Sequence, residues 1–161
     1  LAVGEIGYVV TSGADVEFIG YGSFTIGAAS VLESGPIVVT DGSAQAYLIH
    51  SDRTTVAIEP ALPDVAVDMK AFSTTEIYVA TSTEIIQRSG ESWKSLGTFP
   101  FEIFSPQQLE GTSGDDLWVI GQDGSFERRL IHWDGASWSK VEMGAEPNSM
   151  SVAGGVIGVI F

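Results

Sequence analysis

Leu117-Trp118-Val119-Ile120-Gly121, followed by Leu130-Ile131-His132-Trp133-Asp134-Gly135-Ala136-Ser137-Trp138, decides how this chain is read, because both pieces recur. The first returns as Gly7-Tyr8-Val9-Val10-Thr11-Ser12, Ile37-Val38-Val39-Thr40, Ile77-Tyr78-Val79-Ala80-Thr81-Ser82 and Val156-Ile157-Gly158-Val159-Ile160. These segments open at Gly7, Ile37, Ile77, Leu117 and Val156, so the first step is short and the other three are nearly equal. The second piece returns two copies earlier as Leu48-Ile49-His50-Ser51-Asp52, with four identities in five. It returns again as Ile85 to Trp93, where Gly90, Ser92 and Trp93 align without a gap on Gly135, Ser137 and Trp138. Phe24 is a weak counterpart of these tryptophans in the first copy. Two separate elements sharing one period of about 40 residues define an internal repeat.

Each copy has the pattern of strands. The apolar pieces are four to six residues long, β-branched or aromatic, and bounded by Gly, Asp and Ser. Asp41-Gly42, Asp123-Gly124 and Asp134-Gly135 mark tight turns, where Gly tolerates positive φ and Asp bonds its own backbone. In the clearest copy the spacing predicts strands over 106–112, 116–121, 127–133 and 138–142. A lone four-stranded sheet cannot bury both faces, so sheets of about 40 residues must stack on one another, as in a β-propeller. The expected division is a partial blade 1–27, blades 28–61, 62–103 and 104–144, and a partial blade 145–161. Pro60, Pro63, Pro100, Pro106 and Pro147 then fall between copies, where no ladder hydrogen bond is lost. Both ends are expected on a second strand, as for a segment of a larger propeller with further blades in the same polypeptide.

Composition narrows the function. With 44% hydrophobic residues, only 17% charged and 19 glycines, the chain is neither disordered nor a helical bundle. Its 21 acidic against 7 basic side chains give a net charge of −14, which repels nucleic acid and anionic membrane surfaces. There is no cysteine, so redox compartment is open, and no apolar run long enough to insert in a membrane. The opening Leu1-Ala2-Val3-Gly4-Glu5 has neither an initiator Met nor a basic leader, which suggests processing or excision from something longer.

The stretch from Ser113 to Gly121, with Leu130 to Trp138, resembles the repeat of large exported or surface bacterial propeller proteins. In that repeat an acidic pair precedes a Trp and a Gly, and a His-Trp-Asp-Gly run ends in a second Trp. The match is good over one copy, partial over 65–97 and faint in the first two, where Ser51 and Val56 stand in place of tryptophans. The resemblance implies the fold and an extracellular or cell-surface location, and says little about a ligand. WD40 repeats would repeat Trp-Asp, which occurs only at Trp133-Asp134. Kelch repeats would repeat Gly-Gly, found only at Gly154-Gly155, and the adjacent Asp134-Gly135 do not fit the sialidase Asp-box.

His50 and His132 are the only histidines and share one repeat position, which favours a structural role over ligation. Repeated Trp93 and Trp138 read as fillers between blades with satisfied indole N–H groups. Trp133, whose counterparts are Ser51 and Arg88, is the tryptophan the repeat does not require. With His132 and Asp134 it forms the candidate ligand-binding set, an exposed ring beside a carboxylate being suited to a sugar face. Asp115, Asp116, Asp123, Asp134 and Glu127 allow calcium but lack the alternating loop of oxygen ligands it needs. No zinc pattern, nucleophile elbow or phosphate loop occurs, so no cofactor, metal ligand or catalytic residue is assigned. The expected function is a non-catalytic binding, interaction or display module for a protein or glycan partner, with the poorly repeated stretches Ser43 to Ala46 and Gln122 to Arg129 as contact loops. The alternatives are a carbohydrate-binding lectin, and a glycoside hydrolase with carboxylates at the channel mouth.

Overall fold

The computed structural model describes residues 6–12, 15–21, 26–32, 35–50, 52, 54–102, 104–153 and 155–161, with side chains described within 27–152 and 155–161. The described elements are sixteen strands: β1 Ile6–Ser12, β2 Asp15–Tyr21, β3 Ile26–Val31, β4 Ile37–Asp41, β5 Ala46–Ile49, β6 Thr55–Ile58, β7 Asp68–Ala71 and β8 Ile77–Ala80. They continue as β9 Ile85–Ser89, β10 Ser92–Ser95, β11 Phe104–Ser113, β12 Asp116–Asp123, β13 Arg128–Trp133, β14 Trp138–Val141, β15 Ser149–Ala153 and β16 Val156–Ile160. They form three four-stranded antiparallel meanders, β3 to β6, β7 to β10 and β11 to β14, with hairpins β1–β2 and β15–β16. No helix among the described residues is long and apolar enough to cross a membrane.

Alternation along each second strand explains why both faces are apolar. Ile77 and Val79 of β8 join the core shared with β3–β6, which also holds Val38, Ile58 and Met69. Tyr78 and Ala80, one residue out of phase, join the core shared with β11–β14, which holds Leu117, Val119, Ile131, Trp133 and Trp138. Val79 and Val119 are fully buried. A strand sandwiched between two sheets needs apolar residues at every position, so period-2 polarity disappears there.

The first strands line up along the inner side of the stack, β3 on β7, β7 on β11 and β11 on β15. One polar side chain from each reaches the backbone of the next. Ser30 Oγ accepts the N–H of Ala71 at 2.9 Å, and Asp68 Oδ2 accepts that of Leu109 at 2.7 Å. Gln108 donates to Met150 O at 2.6 Å and accepts the Met150 N–H at 3.0 Å. Edge groups that would otherwise be unpaired in the interior are thereby satisfied. Beyond a polar residue in each first strand, nothing in the sequence marks these ties.

Three expectations need correcting. Pro106 does not fall between copies: it lies buried inside β11, beside the register shift between Pro106 and Gln108. An edge strand with a bulge accepts a residue that cannot donate. Trp138 does not have its indole N–H satisfied; that atom is buried without a partner, whereas Trp93 Nε1 donates to Pro60 O at 2.8 Å. Lastly, β1 does not hold a second-strand position. In the complete sheets the third strands open at Ala46, Ile85 and Arg128, and the first strands that follow open at Asp68, Phe104 and Ser149. The step from β1 at Ile6 to β3 at Ile26 matches these intervals. The step from β2 at Asp15 to β3 likewise matches those from the fourth strands at Thr55, Ser92 and Trp138. Second strands, at Ile37, Ile77 and Asp116, lie markedly farther from the next first strand. β1 and β2 therefore occupy third and fourth positions, which accounts for the short step from Gly7 to Ile37.

Candidate functional site

His132, Trp133 and Asp134 do not converge, because successive residues of β13 point to opposite faces. His132 stacks on Trp118 at 4.2 Å between centroids, with its Nε2 2.8 Å from Asp116 Oδ1. Trp133 turns the other way into the core, 9% exposed and 5.3 Å from the ring of Trp138. No ring face is left there for a sugar, so the expected exposed tryptophan is a packing residue. Asp134 is exposed at the β13–β14 turn, and its Oδ1 accepts the N–H groups of Ala136 and Ser137 at 3.0 and 2.8 Å. The Ser137 and Ala136 N–H groups hold its carboxyl below the usual aspartate range. The faint copy repeats this device at Asp52, which accepts from Thr54.

Asp116 is likewise engaged. Burial alone would raise the Asp116 carboxyl, but hydrogen bonds from Thr112, His132 and Trp118 outweigh it and hold the group down. Among the described residues no three or more His, Asp or Glu side chains are grouped to hold a metal ion.

A different feature stands out at the β12–β13 loop, within the Gln122 to Arg129 stretch singled out by poor repetition. Asp123 Oδ1 accepts the N–H groups of Ser125 and Glu127 at 2.8 and 3.2 Å, and its Oδ2 accepts Arg129 Nε at 2.8 Å. Arg129 also pairs with Glu127. The Arg129 guanidinium, ahead of the backbone bonds, pulls the Asp123 carboxyl below its ordinary value. This clamp holds Phe126 at a φ of 63° with 82% of its surface exposed. The β4–β5 loop is the same turn: Asp41 Oδ1 accepts from Ser43 and Gln45 at 2.9 and 2.8 Å, and Ala44 has a φ of 66°. Left-handed backbone thus falls at Ala44 and Phe126, not at Gly42 or Gly124 as the dipeptides suggested. Ala44 packs against the neighbouring core and its carbonyl accepts the Leu62 N–H at 2.8 Å. Phe126 does no such work in its own sheet.

Below this loop lies a cleft of about 450 Å³, lined among others by Arg128, Arg129, Lys140, Glu142 and Met143. Three of the seven cationic residues of a chain with net charge −14 meet there. Arg128 donates to Asn148 Oδ1 at 2.6 Å, and Lys140 Nζ sits 4.3 Å over the ring of Phe101. An exposed aromatic rimmed by side chains of both charges can seat an apolar residue and orient a polar segment around it.

No protein-family model matches the chain, and no curated protein matches it. Solved structures do. The extracellular domain of a hybrid two-component system from B. thetaiotaomicron is 12% identical with a TM-score of 0.60, over 92% of this chain and 21% of that one. A protein assigned to the gluconolactonases is 13% identical, TM-score 0.57, over 78% and 51% respectively. YCF48 bound to a D1 peptide is 15% identical, TM-score 0.61, over 92% and 52%. The chain thus spans about half or less of the structures it matches. At such identities the likeness concerns architecture, and with the three stacked meanders it establishes an all-β chain with the fold of a β-propeller over part of a ring.

Proposed function

We propose that this chain is a non-catalytic propeller module that binds a protein partner through the loop end carrying Phe126. The observation that carries this reading is the 82% exposed Phe126 ring, held in left-handed backbone by the Asp123, Glu127 and Arg129 clamp. A non-glycine residue in that conformation costs about 1 kcal/mol; where the matching turn sets Ala44 against its core, this one sets a large aromatic ring into solvent. Aromatic side chains at a charged rim are the usual anchors of protein recognition. YCF48, which binds a peptide, and the two-component extracellular domain support a binding role and an extracellular or cell-surface setting. The lectin reading loses its main support with Trp133 in the core. The hydrolase reading gains no support from Asp116, Asp123 and Asp134, whose carboxylates are each taken up by hydrogen bonds within the fold.

Panning a random peptide library against the immobilised chain, with a glycan array in parallel, tests the proposal. Peptides selected on the wild type are expected to bind Phe126→Ala at least tenfold more weakly, and the glycan array to stay blank. Equal peptide binding by both proteins, or glycan binding alone, would overturn it.

A further inference from the structure

A groove of about 900 Å³ opens between the β8–β9 turn and the segment that joins β10 to β11, and Phe99, Phe101 and Phe104 line it. Phe104 meets the other two rings at 5.0 and 5.6 Å between centroids, so the aromatic wall is continuous. Phe101 also borders the cleft below Phe126, which places the groove at the same loop end of the stack.

The first sheet fills the equivalent place with its own chain. Leu62, in the segment after β6, is 6% exposed in the core that Ala44 also touches, and it donates its N–H to the Ala44 carbonyl at 2.8 Å. The turn that offers this carbonyl closes from the Asp41 N–H to Gln45 O, whereas the β8–β9 turn closes from the Thr81 N–H to Glu84 O and is one residue shorter. It has no counterpart of Ala44, and among the described residues no backbone hydrogen bond joins it to the segment after β10. The groove is therefore the place that Leu62 takes in the first sheet, left open in the second. An extended segment with an apolar side chain fits it, as the chain around Leu62 fits the first.

Charge selects the rest of the occupant. Glu84 and Glu102 stand in the lining, with no lysine, arginine or histidine among its described residues. Lys140, 4.3 Å over the Phe101 ring, lines the neighbouring cleft instead. Neither glutamate carboxylate has an ion pair or hydrogen bond among the described residues, and the chain carries a net charge of −14. A surface of that sign draws cationic partners and repels anionic ones. Resting on the reading of this loop end as a protein-binding surface, we infer that the groove receives an extended partner segment in which an apolar side chain is flanked by lysine or arginine. The apolar side chain lies against Phe99 and Phe101, and the cations meet Glu84 and Glu102.

Synthetic peptides with a central leucine flanked by lysines, by glutamates or by serines, titrated into the isotope-labelled chain and followed by its amide NMR shifts, test this. The lysine-flanked peptide is expected to move the amides of 82–84 and 97–102 and to bind about tenfold more tightly than the other two. Glu84→Lys together with Glu102→Lys is expected to turn the preference toward the glutamate-flanked peptide, with circular dichroism unchanged. Glu84→Gln with Glu102→Gln is the second pair should charge reversal disturb the fold, and is expected to erase the preference. Equal affinities, shifts confined to 127–130, or a preference unmoved by the glutamate variants would overturn the inference while leaving the loop end a binding surface. Absence of any shift with all the peptides would overturn it as well, and the panned peptides, compared on wild type and Phe126→Ala, decide separately whether the loop end binds protein.

Discussion

Replacing Trp133 by alanine separates a packing role from a binding role. The side chain is 9% exposed and belongs to the core between the second and third sheets, against Trp138, Ile131 and Leu117. A buried aromatic of this size removes roughly 200 Å² from water. At about 25 cal/mol per Å² that is roughly 5 kcal/mol. The extended-chain reference overstates the area by roughly 10–40%, so about 3–4.5 kcal/mol remains. Trp→Ala changes in other cores cost about 3–5 kcal/mol, which agrees. Domains of this length lose roughly 2–4 °C of Tm per kcal/mol, so the midpoint should fall by roughly 6–18 °C. The assay is thermal unfolding followed by far-UV circular dichroism, with guanidinium titration for the free energy. Phe126→Ala, at a ring 82% exposed, is the control and should shift the midpoint by less than about 2 °C. A Trp133→Ala midpoint equal to that of the control would refute the reasoning, for it would put the ring back in solvent where a sugar can stack on it.

Asp68→Ala leaves the Leu109 N–H, at a residue 1% exposed, without its acceptor, at a cost of about 1–3 kcal/mol by denaturant titration. Asp68→Asn keeps an acceptor and should lose less than half as much; equal losses would show that charge, not the hydrogen bond, matters there. Gly121→Ala would bring a methyl to 2.5 Å from Ser105 O and 2.6 Å from Phe104 Cζ, so a loss of about 1–3 kcal/mol is expected, and an unchanged melt would contradict the close approach of β11. Acid titration should show two opposing trends. Asp41 and Asp116, raised by burial but lowered further by their hydrogen bonds, hold carboxyls below the ordinary 3.8; their stabilisation is present above that value and is lost as pH falls through the folded values. Burial, only partly offset by the Leu109 and Met69 N–H groups, raises Asp68 above 3.8. Its contribution is full below 3.8 and declines as pH climbs through the folded value, so Asp68→Asn should flatten stability against pH just above 3.8. An unchanged slope would reassign the raised group.

What the sequence disclosed follows from which constraints are local. The period near 40 was legible because each copy carries its own apolar strand, and two of the three complete sheets carry matching acid-capped turns, Asp41 with Asp123 and Asp52 with Asp134. The ties between first strands were not, because Ser30, Asp68 and Gln108 share no chemistry beyond polarity and act only once two sheets meet. The candidate site was half legible. Poor repetition pointed to Gln122 to Arg129, but the dipeptide Asp123-Gly124 suggested that glycine would take the positive φ. In the folded turn the Asp123 carboxylate captures the N–H groups two and four residues on, and this forces the residue between them, Phe126, into the left-handed region whatever its own preference. Local propensity yields there to hydrogen-bond geometry, which is how a large aromatic comes to sit exposed at a turn tip. The misplacement of β1 has a related cause. Second and third strands are both buried on two faces, so Gly7 to Ser12 looks like either, and only its distance to β3 tells them apart. A short apolar motif specifies that a strand is internal; its rank in the blade is carried by chain length to the next first strand.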